Sequence, residues 1–291
     1  MIQFADDSTK QEVWGMWKTC FGDPDDYMEI YFRHKYRNEN TLLYVDEGKA
    51  VASLQMLPYQ FTFCGAEIPV IYLSGVCTLP EARKKGFMHQ LLLQSFAVAA
   101  GRAIPLMLLV PQEPWLLQFY DKYGFAQTFD GGTEPLPSLR VLTEAHPGDL
   151  HAAYRAFNTL CRQSDMTLQK SFDDFRAMIE EAALYGFPPK KNLTGMARVI
   201  DAERLLSLFA DRYAEKNFSV VVKDDLLHHN NGLFTLSEGK ADRTVLSAEH
   251  SLSLDIRELA QLLLGYHTSD REEPLRSLFP AKTPQMHYML E

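Results

Sequence analysis

The run Val76-Cys77-Thr78-Leu79-Pro80-Glu81-Ala82-Arg83-Lys84-Lys85-Gly86-Phe87-Met88 changes character twice within a few residues. Its start closes an apolar, β-branched segment, which reads as a strand ending near Thr78. Pro80 and the charges after it read as a short loop. From Gly86 the period changes: Leu91, Leu92, Phe96 and Ala99 fit one helical face, and Gly101 is a natural stop. A helix that begins this way exposes several unpaired N–H groups, and its dipole favours an anion. A pyrophosphate would satisfy those donors. Gly86 lets the backbone come close to the phosphates, and Arg83, Lys84 and Lys85 surround them with positive charge. The dipole alone contributes only about 0.3–1 kcal/mol at an exposed site, so hydrogen bonds and cations must supply most of the affinity.

Upstream of this run the pattern is helical, then strand-like. Tyr27, Ile30, Tyr31 and His34 recur at helical spacing behind the acidic stretch Asp23-Pro24-Asp25-Asp26, which suits a helix start. Strands are expected at 41–45 and 50–57 around the hairpin signal Asp46-Glu47-Gly48-Lys49. A second pair is expected at 60–63 and 70–78 around Cys64-Gly65. Downstream, 105–110 reads as a short buried strand between two prolines. Residues 115–123 read as a helix ended by Gly124. The breaker-rich Gly131-Gly132-Thr133-Glu134-Pro135-Leu136-Pro137 marks a boundary. Two helices follow. One carries Leu150, Ala153, Tyr154, Phe157 and Leu160; the other begins at Ser171 with Asp174 as its capping partner. Beyond Pro188-Pro189, Asp201 can cap a helix bearing Leu205, Leu206 and Phe209. Strands at 218–222 and 233–236 precede a last helix with Leu259, Leu262 and Leu263 inside and Gly265 at its end.

With 291 residues, the chain is long enough for two domains. Its 46% hydrophobic and 23% charged residues are the profile of a globular protein. The formal charge of -9 argues against nucleic acid as a partner and fits a cationic substrate, although a solvated acidic surface explains it equally well. Cys20, Cys64, Cys77 and Cys161 form no metal-ligand spacing and read as reduced, apolar residues of a cytoplasmic protein, with no metal expected. The first residues lack the basic and apolar segments of a signal peptide, and no apolar run approaches the roughly 20 residues of a membrane span.

In order, the motif V-x-T-x-P-x-x-R-x-x-G at 76–86, the amphipathic helix, the strand and Phe119-Tyr120-Asp121-Lys122-Tyr123-Gly124-Phe125 resemble the GNAT acetyltransferase pattern. The match covers about fifty residues. The resemblance implies acetyl-CoA as co-substrate. Backbone groups of Val76 and Thr78 would meet the pantetheine arm. Those of Arg83, Lys85, Gly86, Phe87 and Met88 would hold the pyrophosphate, with Lys84 in the same basic loop. A backbone N–H near Cys77 would polarise the thioester carbonyl. Tyr120 matches the position that protonates the departing thiolate; a phenol with an ordinary pKa of about 10 is a suitable donor. Many members have Gly or Ala where this chain has Met88, whose side chain must therefore point away from the phosphates. Asp25, Asp26 and Glu29 are candidates for an amine-binding cleft, since the early helices of such proteins border the acceptor site.

The tail adds a second resemblance. Gly195-Met196-Ala197-Arg198-Val199-Ile200-Asp201 and Leu252-Ser253-Leu254-Asp255-Ile256-Arg257-Glu258-Leu259-Ala260-Gln261-Leu262-Leu263-Leu264-Gly265-Tyr266 are similar to the C-terminal domain of Eis-type (enhanced intracellular survival) acetyltransferases, which resembles sterol carrier proteins. The middle domain usual in that family would be shortened or missing here. The resemblance also implies that the α-carboxylate of Glu291 reaches the active site as a base, although its ordinary pKa of about 3.3–3.7 makes it a weak one unless burial raises it.

The expected fold is therefore α+β. An N-terminal GNAT mixed sheet flanked by helices would occupy 1–134, a helical linker region 135–192, and a smaller sterol-carrier-like α/β domain 193–291. The expected activity is direct transfer of an acetyl group to an amine, either a small molecule, polycationic in the Eis-type case, or a peptide. No nucleic-acid or membrane partner is expected, and a homo-oligomer is left open. The rival reading is a non-catalytic protein that binds acyl-CoA or an apolar ligand. Tyr120 favours the enzyme, because a pure binder has no use for a proton donor.

Overall fold

A computed structural model describes residues 1–244 and 251–290. The chain begins with a short strand β1 (Ile2–Phe4) and two helices, α1 (Lys10–Phe21) and α2 (Asp25–His34). Three antiparallel strands follow: β2 (Thr41–Asp46), β3 (Lys49–Phe63) and β4 (Ala66–Thr78). Both hairpin turns have two consecutive residues with positive φ, Glu47-Gly48 and Cys64-Gly65, the backbone that suits the twist of a two-residue hairpin. The two strands expected at 50–57 and 60–63 are one continuous strand. Pro58 does not break it, because Pro58 falls between the end of the β2 pairing at Gln55 and the start of a later pairing at Gln60. No strand on that edge asks for its missing N–H.

Helix α3 (Phe87–Gly101) leads to β5 (Leu106–Leu109), then α4 (Trp115–Asp121) and β6 (Ala126–Phe129). The next region holds α5 (Leu139–Glu144), α6 (Leu150–Cys161), β7 (Thr167–Gln169) and α7 (Phe172–Leu184). Asp149 caps α6, and Ser171 with Asp174 forms the full capping box that starts α7. The sequence reading missed α5 and β7. Strand β7 is only three residues long and gains its identity from pairing with the far end of β3.

The largest departure is β8 (Gly195–Val199). It was expected at the start of the C-terminal domain. Instead it lies in the large sheet, antiparallel to β5 on one side and β6 on the other. That sheet runs β1-β2-β3-β4-β5-β8-β6, with β7 beside β3. The run Gly195 to Val199 is buried throughout, so a burial pattern without alternation could not say which sheet it joins. The sheet of the first domain is thus completed by residues beyond the expected boundary at 193.

After β8 come α8 (Ala202–Arg212), β9 (Phe218–Lys223), β10 (Gly232–Ser237), β11 (Lys240–Thr244), β12 (Leu252–Asp255), α9 (Ile256–Leu263) and α10 (Leu275–Leu278). The second sheet runs β11-β10-β9-β12, with β12 parallel to β9. Asp201 caps α8, and Asp255 with Glu258 forms a capping box at α9. One hydrophobic core spans both halves: Phe61, Phe129 and Val199 share it with Leu206, Leu259 and Phe279.

A buried ion pair pins the halves together. Arg198 of β8 is 0% exposed, and its Nη2 donates to both carboxylate oxygens of Asp224 at 2.8 Å. Asn230 also donates to Asp224, at 2.8 Å. A Cβ at Gly124 would stand 2.9 Å from the Arg198 guanidinium carbon, which is why a glycine is needed after Tyr123. Beyond α10 the chain returns to the first domain. The Gln285 amide donates to Met166, and the Leu168 amide donates back to Gln285. No helix among the described residues is long and apolar enough to cross a membrane.

Candidate active site

Strands β4 and β5 pair in parallel only at Val70, Ile71 and Tyr72, opposite Leu106, Met107 and Leu108. Past Tyr72, β4 runs on alone to Thr78 on that side, while β5 ends at Leu109. The strands part and leave a cleft lined by free backbone. A bulge falls in this stretch: Ser53 faces Cys77, but Gln55 faces Ser74, so Gly75 and Val76 hold an extra position. Gly75 has φ 57, and a Cβ there would lie 2.7 Å from the Trp17 ring. The bulge is therefore pressed under Trp17.

From Thr78 the chain makes one 3-10 turn, Pro80–Ala82, and reaches the start of α3. Lys84 (φ 64) and Gly86 (φ 82) both take left-handed backbone, and space around Gly86 is open. Among the described residues the amides of Lys84, Lys85, Gly86, Phe87, Met88 and His89 donate to no protein acceptor; the first helical bond is from Gln90 to Gly86. These are the orphan donors of a helix start, gathered in a loop where Arg83, Lys84 and Lys85 are exposed. The Arg83 amide is an exception to the expectation. It donates to Pro80 at 3.3 Å, and the Arg83 Nε donates to the Thr78 carbonyl at 3.1 Å. Met88 packs into the core cluster of Leu91 and Tyr120, and Phe87 stacks on Tyr44 with ring centroids 4.2 Å apart.

Beside the parted strands lies a cavity of about 90 Å³. Val76, Leu109, Leu116 and Tyr120 form one wall; Trp17, Asp23 and Tyr27 form another. Tyr120 is buried, with its ring packed against Phe119 and Phe125. Burial pushes its pKa well above the ordinary phenol value, so it stays protonated. The Trp17 Nε1 donates to Asp23 at 2.7 Å and aims that carboxylate. Leu290 completes the lining from the far end of the chain.

The acetyltransferase (GNAT) domain family matches residues 1–128, and the sterol carrier protein domain family matches residues 203–282. The chain carries a GNAT acetyltransferase domain joined to a sterol carrier protein domain. Three solved structures share its architecture over 98% of both chains. A GCN5-related N-acetyltransferase from Anabaena variabilis superposes with a TM-score of 0.67 at 17% identity. A probable N-acyltransferase from Enterococcus faecalis gives 0.66 at 16%. Eis1 from Mycobacterium abscessus gives 0.64 at 14%. At these identities the likeness concerns the fold. No protein with a curated description matches.

Within the acetyltransferase domain, the structure redistributes part of the expected site. Asp25, Asp26 and Glu29 are exposed and do not line the cavity; Asp25 is paired with Lys18 at 2.7 Å. The acid that does line it is Asp23, placed by a tryptophan on the preceding helix. That contact crosses a helix end and leaves no periodic trace in the sequence. Trp17, Tyr27, Ser74 and Gln112 were missed for the same reason. Cys77 is buried on the α1 side with its Sγ 3.3 Å from the Ser53 hydroxyl, and its thiol is pushed well above the ordinary value. It cannot serve as a nucleophile in the cleft. Glu291 lies outside the described residues. His229 contacts the Ile200 carbonyl at 2.7 Å, and no group of three or more potential metal ligands occurs among the described residues.

Proposed function

We propose that the protein transfers an acetyl group from acetyl-CoA directly to an amine. The observation that carries this reading is the joining of a row of undonated amides at 84–89 to a strand edge that has lost its neighbour, with the Tyr120 hydroxyl beside that edge. The amides of Lys85, Gly86, Phe87 and Met88 would take the diphosphate, and the exposed cations of the loop would neutralise it. The free β4 edge at Val76 and Thr78 would hold the pantetheine arm as an added strand would be held. An N–H at the bulge would then face the thioester oxygen.

In this reading the amine enters from the Trp17–Asp23–Tyr27 wall. An ammonium meets the Asp23 carboxylate there, gives one proton to that carboxylate, which passes it to solvent, and the neutral nitrogen attacks the thioester carbon. The tetrahedral intermediate collapses: Tyr120 gives its proton to the departing sulfur, and the second proton shed by the nitrogen returns through solvent to restore the phenol. Holding the thioester and the amine side by side at this strand edge supplies much of the acceleration. The acceptor expected from this wall is cationic.

The experiment is release of coenzyme thiol from acetyl-CoA against a panel of aminoglycosides, polyamines, peptide N-termini and lysine amides. Tyr120→Phe should lower kcat by about 10²-fold or more while coenzyme affinity stays unchanged. Asp23→Asn should raise KM for cationic acceptors more than it lowers kcat. Undiminished turnover in the phenylalanine variant would remove Tyr120 from the mechanism. Coenzyme binding without turnover on any amine would favour a binding role.

A further inference from the structure

Two cysteines that have no part in the transfer meet on the α1 side of β4. Cys20, in the last turn of α1, is half-buried, and its Sγ donates to the Thr78 carbonyl at 3.6 Å. Cys77, the residue before Thr78, is buried against Ser53. Both thiols therefore sit at the same end of β4, one on the Thr78 carbonyl and the other on the residue before it. A hydrogen bond from Cys77 is the largest influence bringing the Cys20 thiol down to about 7, and the Arg83 guanidinium, held at the same Thr78 carbonyl, adds to it. Cys77 moves the opposite way. The pair is asymmetric: one half-buried sulfur that ionises near neutral pH, and one sealed sulfur that keeps its proton. The other two cysteines are different. Cys64 and Cys161 are buried, and burial pushes their thiols up to about 12 and about 11.

We propose that Cys20 and Cys77 are a peroxide-reactive thiol pair, with Cys20 as the attacking sulfur and Cys77 as the resolving one. The Cys20 thiolate attacks one oxygen of hydrogen peroxide and breaks the O–O bond; the other oxygen leaves as hydroxide and takes a proton to become water. The resulting Cys20 sulfenic acid is attacked by the Cys77 sulfur. Its hydroxyl leaves with the Cys77 proton as a second water, and a disulfide forms. Two thiols are oxidised by two electrons, and the peroxide is reduced by two. The disulfide would tie the end of α1 to β4 between the Trp17 wall and the Arg83 loop.

The test reads sulfur chemistry rather than turnover, so it stands or falls independently of what the cleft binds. In the unmodified, fully reduced protein at pH 7, iodoacetamide should label Cys20 at least about tenfold faster than Cys64 or Cys161, because the thiolate is the nucleophile. Hydrogen peroxide should then give a Cys20–Cys77 linked peptide. In Cys77→Ala, folded by circular dichroism, peroxide should leave a Cys20 sulfenic acid that dimedone traps. Labelling of Cys20 no faster than of Cys161 overturns the proposal, as does peroxide treatment that leaves Cys20 and Cys77 unlinked.

Discussion

On its α3 side the cleft is made by neighbours in the chain. Thr78, the turn at Pro80–Ala82, Gly86 and the first residues of α3 follow one another, and the donors they leave unpaired are backbone amides. On its α1 side the cleft is made by Trp17, Asp23, Tyr27 and Leu290, which come from both ends of the chain and act through side chains. The contrast separates two jobs. A cradle for a constant group such as a diphosphate needs only a fixed local backbone. A wall that selects an acceptor is assembled by tertiary packing, so it can be changed without disturbing the cradle.

If the distant wall depends on the two halves being locked together, breaking the lock should have the largest effect. Arg198→Ala leaves the Asp224 carboxylate buried without its partner, which costs about 3–5 kcal/mol. The urea midpoint should fall accordingly. A loss under about 1 kcal/mol would mean that Asp224 finds other partners and that the pair is not the lock.

A pH experiment probes the tail that carries Leu290. Burial, helped by nearby Lys170, lowers His287 from 6.5 to about 4. Above pH 6.5 the ring is neutral in both states and contributes nothing. As the pH falls through 6.5 the unfolded chain gains a proton that the folded one refuses until about 4, so stability is lost across that window. At pH 5 the loss is about 1–2 kcal/mol. The depressed carboxyls of Asp174 and Asp224 act only at lower pH, near and below their unfolded values of 3.8. His287→Gln should flatten the profile between pH 6.5 and 5; an unchanged slope would assign it to another group.

The smallest expected effect tests the near wall. Gly86→Ala meets no atom within 4 Å but must hold φ 82, a left-handed strain of about 1 kcal/mol. Coenzyme affinity should fall several-fold as the amides tilt. Gly15→Ala in α1 also enters open space, but in ordinary helical backbone, and should stabilise by about 0.5–1 kcal/mol. Equal behaviour of the two variants would deny the loop geometry its role.

Much of the near wall was legible because its signals are local. The strand–loop–helix order at Gly86 is written in a few consecutive residues, as are, elsewhere in the chain, the hairpin turns at Glu47-Gly48 and Cys64-Gly65 and the capping box of Ser171 and Asp174. The acid that lines the cavity is Asp23, which the sequence reading did not single out. Asp23, Asp25, Asp26 and Glu29 look alike in sequence, and only the Trp17 hydrogen bond distinguishes Asp23.

The sequence by itself determined the backbone devices: where left-handed residues sit, where helices begin, and where a basic loop meets a glycine. Those depend on dihedral sterics and hydrogen bonds between near neighbours. Only the tertiary structure decided that β8 enters the first sheet, that Asp23 rather than Asp25 faces the cavity, and that Leu290 closes it. Strand partners and buried contacts are chosen by shape and burial across the whole chain, and an apolar strand such as 195–199 fits either sheet until the rest of the core is in place.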